Sequence, residues 1–209
     1  FWQILAAEFE RKDHGPEPLA AAERSLAILE AHGFQTIRAF FHDYGRVDTF
    51  LELEKRERFF AAMDRTLDLC DRHGIRVVAS LGLGDPKWSR HTGEPYAAQI
   101  GRHDSRARQH AEDYARAVVT RYRDRPTIAM WQHCNELLLK ADIGGRERSW
   151  NNLAIPTLTE IERFHREMAI LIRSLSPRHL VTTGDSYRTS LWHQNQHVEH
   201  GATHGLWTT

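Results

Sequence analysis

The sequence predicts an α/β fold, the leading part of a (β/α)8 TIM barrel, on three observations. An amphipathic helix, a breaker and a short β-branched run recur in that order four times, the sequence form of parallel strands joined by helices. The runs begin near 34, 75, 127 and 180, so the repeats exceed the roughly 30 residues of a minimal unit, and the surplus lies after the strands, where a barrel builds its active face. No G-x-G-x-x-G or phosphate-binding glycine loop follows any run, which weighs against the rival, a doubly wound sheet.

The elements follow in order. Trp2-Gln-Ile-Leu-Ala-Ala-Glu8 is a possible first strand. A helix from about Pro18 to His32 has Pro18 near its start and Gly33 suited to a left-handed cap, and Phe34–Phe41 reads as the next strand. Phe59, Met63, Leu67 and Cys70 form one apolar helical stripe ended by Gly74, ahead of the strand Ile75–Leu81. A third helix, about Ser105 to Tyr122, places Tyr114, Val118 and Tyr122 on one face, and Pro126 introduces Thr127–Trp131. Trp131 is expected in the barrel interior. The fourth helix has Thr159 and Glu162 as a capping-box pair and Ile161, Phe164, Met168, Ile172 and Leu175 facing inward, before the strand Leu180–Thr183. Counting the possible first strand, residues 1–209 make about five βα units of one partial catalytic barrel domain.

The bulk numbers narrow the function classes. A chain of 209 residues that is 41% hydrophobic and 27% charged is an ordinary globular composition. Its 28 basic and 28 acidic residues cancel, so no long-range field favours nucleic acid or an anionic membrane, and a neutral partner fits best. No apolar run approaches the roughly 20 residues of a membrane span, and no signal-peptide layout opens the chain. The chain starts at Phe1 without an initiator Met, so the compartment stays open, secretion or periplasmic export included. Cys70 falls in a helix and Cys134 in a strand, which is no disulfide framework and reads as two buried thiols.

The chemistry concentrates at the end of one apolar run, Pro126-Thr-Ile-Ala-Met-Trp-Gln-His-Cys-Asn-Glu136. A glycosidase needs a carboxylic acid to protonate the leaving oxygen and an amide to hold the neighbouring hydroxyl. Asn135 and Glu136 supply both groups where a strand gives way to its loop, with His133 close by. The plain alternative for the pair is a solvated strand end. An inward strand Arg such as Arg38 calls for carboxylate partners, which an active site provides; a salt-bridged barrel-end Arg is the alternative. His42 and Tyr44, just past the same strand, are placed to line a sugar site. Trp88, beside Asp85-Pro86-Lys87, either stacks on a pyranose ring or caps the core edge, and Trp150 is a second aromatic of this kind.

Tyr122-Arg-Asp-Arg-Pro-Thr-Ile-Ala-Met-Trp-Gln-His-Cys-Asn-Glu136 resembles the fourth strand of the clan A glycoside hydrolases, particularly the family 5 cellulase and β-mannanase group, with its helix-ending Pro and terminal Asn-Glu. Gly33-Phe-Gln-Thr-Ile-Arg38 is similar to the second strand with its active-site Arg, His73–Val78 to the third, and Leu180–Asp185 to the fifth. The resemblance implies a retaining glycosidase acting on a β-linked poly- or oligosaccharide. It makes Glu136 the general acid/base, Asn135 the partner of the 2-hydroxyl and Arg38 the residue that orients the nucleophile. It implies no cofactor and no metal. The family's nucleophile is a Glu on the seventh strand, and the 209 residues reach only the approach to the sixth, so they are expected to be inactive alone and to expose barrel-lining residues and a strand edge. Glu8 and Asp185 are conceivable stand-ins for that second carboxylate.

The sequence departs from the family where Leu137-Leu138-Leu139 replaces the usual Pro after the Glu, and where Leu81-Gly-Leu-Gly-Asp85 replaces an Asn-Asn-Trp pattern. Two other readings stand beside the enzyme. One is a non-catalytic carbohydrate-binding barrel. The other is a metal-dependent hydrolase or isomerase using His193, His197, His200 and His204, which share a face if helical.

Overall fold

The computed structural model describes residues 1–11, 15, 17–43, 46–140 and 155–185. Eight helices are described: α1 (Trp2–Glu8), α2 (Pro18–Ala31), α3 (Asp48–Leu51), α4 (Leu53–Arg72), α5 (Lys87–Thr92), α6 (Tyr96–Gly101), α7 (Arg106–Tyr122) and α8 (Leu158–Leu175). The strands β1 (Thr36–Phe40), β2 (Arg76–Ser80), β3 (Ile128–Gln132) and β4 (Leu180–Thr182) form one parallel sheet in the order β1-β2-β3-β4. Strands added in sequence order without a reversal make the singly wound pattern of a barrel, and a doubly wound sheet would reverse at a switch point. Among the described residues the sheet does not close on itself.

The long helices form where apolar spacing and caps agree. Phe59, Met63, Leu67 and Cys70 of α4 are all buried, as are Tyr114, Val118 and Tyr122 of α7 and Ile161, Phe164, Met168 and Ile172 of α8. The Ser105 hydroxyl caps α7 by accepting from the Arg108 amide at 3.3 Å. The capping box of α8 is Thr157 with Glu160, two residues earlier than Thr159 with Glu162. Both pairs satisfy the three-residue spacing, and the helix takes the one that lies directly after Pro156.

The first segment differs from expectation. Trp2–Glu8 is helix α1, not a strand, and it buries Ile4 and Leu5 in the core. The described barrel units are therefore four, beginning with β1.

Strand register sorts the sheet into two faces. Ala39, Ala79, Trp131 and Val181 lie in one row, and the last three are buried beneath the helices. Trp131 therefore packs on the helix-covered side, where its indole N–H donates to Ser176 Oγ at 3.3 Å, and not in the barrel interior. Arg38, Val78, Met130 and Leu180 form the opposite row, with Phe40, Ser80, Gln132 and Thr182 beside it. This interior face is the open one: Leu180 is 44% exposed.

Candidate active site

The chain beyond β3 is stitched on both sides to the neighbouring strand ends. The Leu83 amide donates to His133 O at 2.8 Å, the His133 amide to Thr182 O at 3.1 Å, and the Glu136 amide to Gly184 O at 3.0 Å. Two glycines permit this close approach. A Cβ on Gly184 would lie 2.3 Å from Gln132 Nε2 and 2.5 Å from Cys134 O, and one on Gly82 would lie 2.6 Å from the His42 ring. Held this way, Asn135 is half-buried and Glu136 is exposed. Glu136 also sits at φ 49°, a left-handed conformation that disfavours a side chain by roughly 1–2 kcal/mol. Strain of this kind persists where the surrounding structure over-determines it, and it clusters at functional sites.

A side-chain relay crosses the open face to this point. Gln132 Nε2 donates to Ser80 Oγ at 3.0 Å and to Cys134 O at 2.6 Å, while its Oε1 accepts from Arg38 Nε at 2.8 Å. The same guanidinium donates to Asn135 Oδ1 at 2.6 Å and lies over the Phe40 ring. A guanidinium only donates, so this contact sets the Asn135 amide with its oxygen toward Arg38 and its NH2 turned the other way. Among the described residues, Arg38 meets two amide oxygens, those of Gln132 and Asn135. Gln132 and Ser80 were not picked out from the sequence; the available signal was a polar residue inside an apolar strand, at the even positions that share the face of Arg38.

The other expected site residues divide. His42 is buried, edge-on to Phe40 at 5.6 Å between ring centres. Trp88 is 1% exposed, donates its indole N–H to Gly82 O at 3.3 Å and packs on Tyr114. Its faces are covered by the core, so it caps the core edge and offers no sugar platform. His133 is fully buried on the helix side of the sheet, where burial and the neighbouring His165 push its pKa well down and keep it neutral. It does not line the open face. Tyr44, Trp150, His193, His197, His200 and His204 lie outside the described residues.

Neither stand-in carboxylate reaches the open face. Glu8 lies on α1, paired with Arg58 and Arg65. Asp185 is buried, 3.0 Å from His165 Nε2 and accepting the Leu138 amide at 3.0 Å. Burial raises its pKa, but His165, the Leu138 amide and the Thr183 hydroxyl outweigh this and hold it below the usual range. Among the described residues, the potential metal ligands that converge are His133, Cys134 and His165, behind the sheet.

Comparisons with known proteins agree with this architecture. The family model described as glycosyl hydrolases family 2, TIM barrel domain, matches residues 55–196. Mannan endo-1,4-beta-mannosidase 7 of Arabidopsis thaliana is 27% identical over 190 residues, covering 80% of this chain and 41% of the relative. The chain thus spans about two-fifths of the length of the curated relatives it matches. Among solved structures, the endo-1,4-beta-mannanase of Rhizomucor miehei superposes with a TM-score of 0.63 at 15% identity, over 80% of this chain and 52% of that one. A glycoside hydrolase family 5 mannosidase of the same organism gives 0.60 at 18% identity, over 90% and 50%. With both its sequence and its fold accounted for, the chain belongs to the glycosyl hydrolases of the family 2 TIM barrel domain description, as a mannanase-like member of the clan A barrels that its fourth-strand motif resembles.

Proposed function

We propose that this chain carries the acid/base half of a retaining β-glycosidase site that acts on β-1,4-linked mannan or a related oligosaccharide. The observation that supports this most is the Arg38–Asn135–Glu136 arrangement: an exposed carboxyl on strained backbone at a strand's C-terminal end, beside an amide whose orientation an arginine sets. In the proposed reaction Glu136 protonates the glycosidic oxygen as the bond to the anomeric carbon breaks, then takes a proton from the water that releases the sugar. Asn135 turns its NH2 toward the 2-hydroxyl, where a hydrogen bond strengthens in the transition state. The attacking carboxylate, about 5 Å from Glu136 in a retaining enzyme, is assigned to sequence outside these 209 residues. The mannan assignment follows the relatives, which are named for that substrate.

The test is hydrolysis of β-1,4-mannan and of an aryl β-mannoside by the gene product that contains this chain, with Glu136→Gln alongside. The variant should lose on the order of 10²–10⁴ in kcat, the usual range for a general acid/base. Full activity in Glu136→Gln would sink the acid/base role. Mannan binding without turnover in the unaltered protein would select the non-catalytic barrel instead. The 209 residues on their own should turn over neither substrate.

A further inference from the structure

We infer that His133, Cys134 and His165 form a buried site for a zinc-class divalent ion, behind the sheet and separate from the open face. His133 and Cys134 follow β3 directly, and His165 comes from the inner side of α8. One ligand atom from each lies within 4.8 Å of the other two. His133 Nδ1 is 3.2 Å from Cys134 Sγ, and the two imidazole rings are 5.0 Å apart between centres. Ligands at zinc bond lengths of about 2.0–2.3 Å in a tetrahedron stand about 3.5 Å from one another, so side-chain shifts of about 1 Å close this set on an ion.

A second observation points the same way. His133 is 0% and His165 4% exposed, yet His133 Nε2 and both ring nitrogens of His165 make no hydrogen bond. Buried polar atoms are ordinarily satisfied, and unsatisfied imidazole nitrogens beside a buried thiol are a donor set open to an ion, with His133 Nε2 as the free donor where Nδ1 stays on the thiol. The far side of His165 is also prepared, because its Nε2 lies 3.0 Å from Asp185 Oδ2. A carboxylate this close to one imidazole nitrogen favours the other, Nδ1, as the atom that faces a metal, the usual second layer of a zinc site. A donor set of two imidazoles and one thiolate selects zinc, or its analogue cobalt, over magnesium or calcium, which take oxygen ligands. On binding, the Cys134 S–H bond breaks, an S–Zn bond forms and the proton passes to water.

The ion would tie β3, α8 and the loop after β4 together directly beneath Asn135 and Glu136. The test uses the full 209-residue chain, stripped with a chelator and reloaded with zinc or cobalt. Elemental analysis should find one bound zinc, and the cobalt form should show tetrahedral visible bands with a thiolate-to-metal charge-transfer band. Both should vanish in Cys134→Ser and His165→Ala and persist in a His193→Ala/His197→Ala double variant. If the first two variants fail to fold, the unaltered chain decides: zinc should raise its Tm by several degrees over the chelated form, as for any ligand that binds only the folded state. A cobalt spectrum without the thiolate band, a metal lost with His193 and His197, or an unmoved Tm each overturns the site.

Discussion

Arg38 and Asn135 stand 97 positions apart in the chain and meet at 2.6 Å across the open face of the sheet. The contact joins the first described strand to the end of the third and sets the direction of the Asn135 amide before any ligand arrives. An Arg38→Lys variant keeps the charge but loses the fork that reaches Gln132 and Asn135 together. In the gene product that contains this chain, kcat/KM on mannan should fall by about 10–100-fold, the worth of a charged hydrogen bond at about 1.5–3 kcal/mol. Thermal stability should barely move, because Arg38 is exposed. Unchanged kinetics would remove Arg38 from the site.

Trp88 provides the opposite test. Its ring is enclosed by the core and covers Tyr114, so Trp88→Ala opens a cavity and should destabilise by about 3–5 kcal/mol. Calorimetry should show the loss as a fall in Tm on the order of 10 °C for a chain of this size. In the gene product that contains this chain, the KM for mannan should stay near its original value in the fraction that remains folded. A raised KM with normal Tm would restore a sugar-stacking role.

Lys87 should show its effect as a pH dependence. Its ammonium is buried, donates to Asp43 O at 3.3 Å, and has its pKa pulled by burial from the usual 10.5 down to about 8. Between those values the unfolded chain binds more protons than the folded one, so stability rises with pH across that window. Below pH 8 the buried charge opposes folding by up to about 3 kcal/mol, at about 1.4 kcal/mol per pKa unit. Lys87→Met should therefore raise stability most near pH 7 and least above pH 10, as denaturant midpoints measured across that range would show. A gain independent of pH would mean that packing, not charge, is responsible.

The barrel units were legible in the sequence because periodicity and burial coincide there. The stripes of α4, α7 and α8 repeat at helical spacing and meet alternating strand positions such as Val77 and Ala79. Where one local pattern serves two structures, the sequence underdetermines the result. Trp2–Glu8 has too few residues to separate strand from helix, and packing of Ile4 and Leu5 against the core decides it. The Asn135–Glu136 pair was legible because it is contiguous and ends an apolar run. Its partners were less so: Gln132 and Ser80 acquire a role only through strand register. The His133–Cys134–His165 cluster joins a strand end to a helix 31 positions later, and only the packing of α8 on the sheet reveals it.

The backbone at Glu136 separates strain from chemistry. At φ 49° any L-residue other than Asn or Asp is disfavoured by roughly 1–2 kcal/mol, and Asn tolerates the conformation because its short amide hydrogen-bonds locally. Glu136→Asn should thus raise unfolding stability by about 0.5–1 kcal/mol, part of that strain energy, while removing the proposed proton donor. Glu136→Gln removes the same proton but keeps the length and branching of glutamate, so it should leave stability unchanged. Both variants should lose mannan hydrolysis alike, and only the Asn form should unfold at higher denaturant. The comparison isolates the backbone, because both substitutions replace a carboxyl with an amide at an exposed position. Equal unfolding midpoints for the two would mean that the loop relaxes around Glu136 without strain. A higher midpoint for Asn alone would mean that the fold holds residue 136 in place at a measurable expense of stability, as the proposed catalytic role of Glu136 requires.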